Sequence, residues 1–183
     1  MKRIILFGIV LLCCAFSCFG QTKSRRLVEF ELGLGVMQSF NNLIFEQSMP
    51  GACPYAEAKY VFKKVPVDLG VNLSGQIFSR VGENEKLDFM SCNIMAVSDY
   101  SFYQASKMRL FAGLGVGLSF FDWDHHIERV GPTTYASGAG DYSMLCAMPR
   151  IGINFYNHLN VSLGYLFEDS AHSNLNLRVA YVF

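Results

Sequence analysis

From Leu27 to the carboxyl terminus, apolar residues recur at every second position, with small or polar residues between them. Such alternation marks strands whose two faces meet different surroundings, and it picks out eight segments. The first sets Val28, Phe30, Leu32, Leu34 and Val36 against Glu29, Glu31, Gly33 and Gly35. The second sets Ala56, Ala58, Tyr60 and Phe62 against Glu57 and Lys59, and the third Val67, Leu69, Val71 and Leu73 against Asp68, Gly70, Asn72, Ser74 and Gln76. The fourth, from Met90 to Phe102, alternates against Ser91, Asn93, Met95 and Val97. The fifth carries Met108 through Phe120 opposite Arg109, Gly113, Gly115, Gly117 and Ser119. In the sixth, about Asp141 to Phe155, Ile151 and Ile153 oppose Arg150, Gly152 and Asn154, and Pro149 predicts a bulge or altered pairing because it lacks an N–H. The seventh sets Leu159, Val161, Leu163, Tyr165 and Phe167 against Asn160, Ser162, Gly164 and Glu168. The eighth sets Leu175, Leu177, Val179, Tyr181 and Phe183 against Asn174, Asn176, Arg178 and Ala180.

The connections alternate too. Gln38–Cys53, Arg80–Lys86, Asp122–Gly140 and Asp169–Ser173 are mostly long and polar, whereas Lys63–Pro66, Tyr103–Ser106 and Tyr156–His158 are short. Hydrophobic residues make up 51% of the chain. Yet beyond the amino-terminal run no stretch approaches the roughly 20 apolar residues of a membrane helix, so the apolar residues are interleaved. Together these features predict an all-β fold: an eight-stranded antiparallel up-and-down transmembrane β-barrel, with its short turns and both termini on one side. Alternation alone does not say which face points outward, and a soluble barrel of the lipocalin kind shares it. Three features favour apolar-out. The polar face is rich in Gly, Asn, Ser and charges of both signs. Phe62, Tyr100, Phe102, Phe155, Tyr181 and Phe183 gather toward the short turns, and Phe78, Phe89, Phe120, Tyr142, Tyr165 and Phe167 toward the long loops, as interfacial girdles do. Trp123, the only tryptophan, falls in a loop, whereas lipocalins carry one near the start of their first strand.

The amino terminus bears on compartment. Lys2 and Arg3 precede an apolar run from Ile4 to Phe19, then Gly20 and Gln21, which reads as a signal peptide over residues 1–20 and a barrel domain over 21–183. A permanent membrane helix and lipid attachment at Cys18 are the alternatives. The full chain has a formal net charge of +0. Losing Lys2 and Arg3 leaves it mildly acidic, which gives no electrostatic case for nucleic acid. Cys53, Cys92 and Cys146 would remain, an odd set unsuited to a complete disulfide framework.

Glu29, Glu31, Glu57, Asp68 and Glu168 share the inner face with Lys59, Arg109, Arg150 and Arg178. An eight-stranded barrel is just wide enough for side chains to fill. Buried charges must pair, so this near-balanced set predicts a salt-bridge network plugging the lumen, with Arg178 beside the acids of strand one and the inner-face glycines leaving room for long side chains. A small-solute path is the alternative. Asp122, Asp124, His125, His126 and Glu128 cluster in the longest predicted loop, but their spacing matches no specific metal site, and no metal or cofactor is expected. The first loop carries Phe40, Leu43, Ile44, Phe45 and Met49, an apolar set that would pack over the barrel mouth or dock on another outer-membrane protein.

The stretch Phe111–Asp122 (FAGLGVGLSFFD), the Gln21 start and the ending LRVAYVF resemble the small outer-membrane β-barrels of Bacteroidetes-type envelopes, described as porin-like or OmpA/OmpX-like. The resemblance implies the fold, a place in the bacterial outer membrane, contact with its lipid and lipopolysaccharide, and a passage through the barrel-assembly machinery, which reads a terminal strand ending like Tyr181 and Phe183. It carries no activity, since one barrel fold serves many functions. No wall-anchoring domain is expected after Phe183. His172, Ser173 and Asn174 faintly resemble the His-x-Ser-Asn of outer-membrane lipid A deacylases. Adjacent strand residues point to opposite faces, however, and no matching acid follows. The expectation is therefore a non-enzymatic structural or interaction barrel, or an accessory subunit of an envelope assembly, with a small-solute channel or a lipid A-modifying enzyme as the alternative.

Overall fold

The computed structural model describes residues 27–39, 50–62, 64–81, 85–128, 135–168 and 173–183. The predicted signal segment, Cys18, the loop residues Phe40, Leu43, Ile44, Phe45 and Met49, and His172 lie outside the described residues. Eight strands close into one antiparallel barrel in sequence order: β1 (Val28–Ser39), β2 (Pro50–Val61), β3 (Val67–Val81), β4 (Glu85–Gln104), β5 (Met108–Glu128), β6 (Tyr135–Phe155), β7 (Leu159–Leu166) and β8 (Asn174–Val182). β1 pairs with β8 from Glu31↔Val182 to Ser39↔Asn174, which completes the ring. The Phe183 amide donates to the Phe30 carbonyl beyond it (2.8 Å).

The barrel is apolar outside and polar inside. Leu34, Val36, Leu69, Val71, Ile94, Leu114, Val116, Leu163, Leu177 and Val179 are exposed on its outer surface, while Asn72, Gln76, Asn93, Asn154, Asn174 and Asn176 are buried within. Water would favour the reverse. An outer wall of branched aliphatics suits a hydrocarbon surround, which satisfies no backbone polar groups and so requires a closed sheet. Exposed Tyr60, Phe62, Tyr100, Phe102, Tyr103, Tyr156 and Tyr181 lie toward the short-turn end, and Phe120, Tyr142 and Phe167 toward the other.

Three expectations change. Phe78 is buried inside, packed with Met37, Cys53 and Phe121, and takes no part in the outer girdle. The segment expected as the loop Asp122–Gly140 is mostly paired strand, running from Asp122↔Asp141 to Glu128↔Tyr135 and leaving only 129–134 between β5 and β6. Position 123 therefore lies in a strand. Arg80–Lys86 and Gln38–Cys53 shorten in the same way, to 82–84 and 40–49. Much of the length difference between the two ends thus resides in strands: β4 has 20 residues and β5 and β6 have 21 each, against the roughly 9–11 that cross a bilayer. At Pro149, of the two expected outcomes, the structure shows altered pairing and no bulge: Pro149 pairs with Leu114 without a register shift, and the β6–β7 ladder lapses beside it, from Arg150↔Gly164 to the bridge Ala147↔Phe167. A shift does occur in the β4–β5 ladder between Ser101 and Tyr103.

The β6–β7 turn is as short as expected. His158 N–H donates to the Phe155 carbonyl (3.0 Å), and Tyr156 and Asn157 both have positive φ (54° and 58°). That is the type I′ geometry whose twist matches a tight hairpin.

Candidate functional site

Where side chains fill the barrel, β1, β2, β4 and β6 deliver charges to the same level. On β2, Glu57 and Lys59 both point inward because they are two apart. On the neighbouring strand Glu31 pairs with Glu57 in register. Lys59 Nζ reaches Glu31 (2.5 Å), Glu57 (3.2 Å) and Asp99 (3.2 Å). From the far wall, Arg150 on β6 grips two acids with its guanidinium fork. It donates to both oxygens of Glu57 (2.6 and 2.7 Å) and to both of Asp99 (2.9 and 2.8 Å). Asn72 donates to Glu57 (2.7 Å) and Asn160 to Glu31 (2.8 Å). All five charged groups are at least nine-tenths buried. The Phe111 ring lies beneath both cations, its centroid 5.4 Å from Lys59 Nζ and 5.9 Å from the Arg150 guanidinium carbon. Toward the short-turn end, Arg109 bridges Asp68 and Glu29 at 2.9 Å each.

The opposite end of the lumen is held by amides and a hydroxyl gathered around the Glu168 carboxylate. Glu168 Oε1 accepts from Gln76 (3.2 Å) and from Ser119 (2.6 Å). Asn174 donates to Gln76 (2.9 Å), and Asn176 to Asn174 (2.5 Å). Ser119 also contacts Asn93. On the remaining wall Met95, Val97, Cys146, Met148 and Leu166 form an apolar cluster. The lumen is thus filled by side chains at three levels.

The structure brings together Glu29, Asp68 and Arg109 in one group, and Glu31, Glu57, Lys59 and Arg150 in another. Glu168 stands apart in the amide layer. Arg178 is placed in the lumen, 2% exposed, but not beside the acids of strand one. It sits across from Gly35, over the Tyr55 ring (5.0 Å). Asp99, absent from the sequence-derived set, is central, taking both Lys59 and Arg150. It continues the inward parity of Asn93, Met95 and Val97, which is the signal that would have found it.

The inner-face glycines make room as expected, though for more than long charged chains. A Cβ at Gly113 would meet Asp99 Oδ1 and stand 2.8 Å from the Ser98 carbonyl. At Gly152 it would strike the Phe111 ring, and at Gly33 it would lie 2.6 Å from the Tyr55 ring. Asn174 points inward, so it does not share a face with its neighbour Ser173. Among the described residues no group of three or more His, Cys, Asp or Glu is placed to hold a metal. The side chains at 124–128 lie outside the description. Cys53, Cys92 and Cys146 are free thiols.

No protein-family model and no curated protein matches the sequence. Solved structures do match. Neisserial surface protein A is 13% identical over 86% of this chain and 96% of its own, with a TM-score of 0.60. The attachment invasion locus protein Ail of Yersinia pestis is 14% identical over 85% and 97%, with a TM-score of 0.52. The N-terminal β-barrel domain of Pseudomonas aeruginosa OprF is 14% identical over 86% and 98%, with a TM-score of 0.51. At these identities the likeness is one of fold, that of the small bacterial outer-membrane β-barrel.

Proposed function

We propose that this protein is an integral barrel of the bacterial outer membrane, closed to solutes, that serves the envelope as a structural or interaction protein or as an accessory subunit of a larger assembly, with no enzymatic activity. The observation that carries the reading is the layer formed by Lys59, Arg150, Glu31, Glu57 and Asp99, which spans the lumen wall to wall. A solute would have to separate oppositely charged groups in a low-dielectric setting, and breaking one such buried pair costs about 3–5 kcal/mol. That supports a plug over a path. With the lumen occupied, the surfaces left for function are the outer wall and the long-strand end, where the β5–β6 hairpin is far longer than a bilayer needs. The likeness to Bacteroidetes-type barrels, carried by Phe111–Asp122 and the ending, belongs to this proposal, as do lipopolysaccharide as its surround and assembly through Tyr181 and Phe183. Native pull-down of the full chain from detergent-solubilised membranes tests the subunit reading. A defined co-purifying envelope protein is expected, and recovery only as a free monomer counts against it.

A further inference from the structure

β6 outruns one of its two neighbours. It pairs with β5 over its whole length, from Glu128↔Tyr135 to Met108↔Phe155. On its other side β7 reaches only to Leu166, and among the described residues the last contact is the bridge Ala147↔Phe167. Beyond that bridge, toward Tyr135, this side of β6 is a sheet edge. Ala147 fixes which backbone groups the edge presents. Its N–H donates to the Phe167 carbonyl (2.9 Å), and the Phe167 N–H donates to the Ala147 carbonyl (2.7 Å), so Ala147 turns both groups away from β5. Antiparallel pairing repeats this direction at every second residue, which assigns it to Ser143, Asp141, Ala139 and Ser137 as well.

A row of N–H and C=O groups along an edge is a template for another strand, and proteins that avoid such pairing place lysine, proline or a bulge there. From Ala136 to Cys146 there is no lysine or proline, and the β5–β6 register is unbroken. The edge is also within reach of a partner. It lies past the level of exposed Phe120 and Tyr142, at the end opposite the short turns, which outer-membrane barrels present to the outside of the cell.

Charge narrows the occupant. Asp122 and Asp141 are both exposed and stand directly opposite each other in the β5–β6 ladder, an arrangement that repels. A strand laid beside β6 sets one of its own residues directly against Asp141, and a cation there offsets the repulsion. A second copy fits poorly. Two barrels in one membrane hold β6 in the same sense, whereas a two-fold pair of like strands runs antiparallel.

We propose that the β6 edge from Ser137 to Ser143 takes up an extended segment of a partner protein as an added strand, main chain to main chain, with a lysine or arginine of that segment against Asp141. The inference rests on the interaction reading above and gives it a surface and a kind of partner.

Amide hydrogen exchange of the isotope-labelled full chain in detergent micelles, read by NMR, tests this. The probe is a short synthetic peptide of alternating threonine and valine around one lysine, with its glutamate counterpart alongside. The lysine peptide is expected to slow exchange saturably at Ala139, Asp141 and Ser143 while leaving Gly140, whose amide faces β5, unchanged. Asp141→Asn is expected to weaken binding of the lysine peptide about two- to fivefold, as for one exposed ion pair. Ala139→Pro removes an edge N–H that β5 does not use and is expected to abolish binding with the gel mobility of the barrel unchanged. The proposal is overturned if the lysine peptide slows no edge amide, or if the glutamate peptide protects equally. It is also overturned if Ala139 and Asp141 are already slow before peptide is added, or if protection rises with protein concentration alone. Exchange at these amides reads only the edge, so a failure here leaves the sealed lumen and the co-purifying partner to their own tests.

Discussion

Arg150 and Asp99 sit in one layer with Lys59, Glu31 and Glu57, and the charge count of that layer makes their removal unequal. Intact, it sets two cations against three carboxylates, all buried. Arg150→Met leaves Lys59 alone against three acids and strips Glu57 and Asp99 of four hydrogen bonds. The cost belongs at or above the about 3–5 kcal/mol for orphaning a buried charge. Asp99→Asn leaves two cations with two carboxylates. It forfeits charge-assisted bonds without stranding a charge, since Arg150 keeps Glu57 and Lys59 keeps Glu31 and Glu57, so about 1–3 kcal/mol is expected. The double variant should be less destabilised than the sum of the singles, because with Asp99 neutral the loss of Arg150 strands fewer acids. Equilibrium urea unfolding in detergent micelles, followed by tryptophan fluorescence and gel mobility, gives all the values. If Asp99→Asn costs as much as Arg150→Met, or the two add to within about 0.5 kcal/mol as independent sites do, the layer is not a coupled network and the reasoning fails.

Three further outcomes are expected. Gly113→Ala places a methyl against Asp99 Oδ1 and the Ser98 carbonyl, so it should cost about 1–3 kcal/mol by the same assay. A wild-type midpoint would mean Asp99 yields freely. Leu114→Arg, on the outer wall of β5, should destabilise the bilayer-inserted barrel by about 2–4 kcal/mol if that position lies at mid-membrane; a neutral result would argue that the wall faces water. Deleting Phe183 removes the Phe183–Phe30 hydrogen bond and the Tyr181–Phe183 edge contact. It should sharply reduce barrel recovered from cell envelopes while the purified variant still refolds in detergent, whereas normal recovery would count against an assembly role for the ending.

Strand parity is legible in most strands where they cross the apolar band, because there the outward and inward surroundings differ most. Leu32, Leu114 and Leu177 stand out, and Glu31, Arg109 and Arg178 in, as alternation required. Past that band the contrast in the sequence vanishes, and paired strand such as Asp122–Glu128 with Tyr135–Asp141 looks like polar loop. Asp99 was lost for a related reason. Its outward neighbour Ser98 is polar, which blurs the alternation at the point where parity alone would have assigned it. Phe78 is aromatic at a strand end, which suggests the girdle, but it shares a face with Gln76, and that parity places it inside. Which charges meet was not legible at all. Arg178 and the acids of strand one lie on adjacent strands, but pairing depends on register, and β8 is staggered so that Arg178 faces Gly35 while Glu31 faces Val182.

The claim that the lumen is sealed is tested most directly by reconstituting the barrel in planar bilayers and recording current across it. The charged layer predicts no resolvable unitary conductance in the wild type and the appearance of leak in Arg150→Met. Steady, reproducible conductance steps from the wild-type barrel would contradict it and assign the protein a solute path.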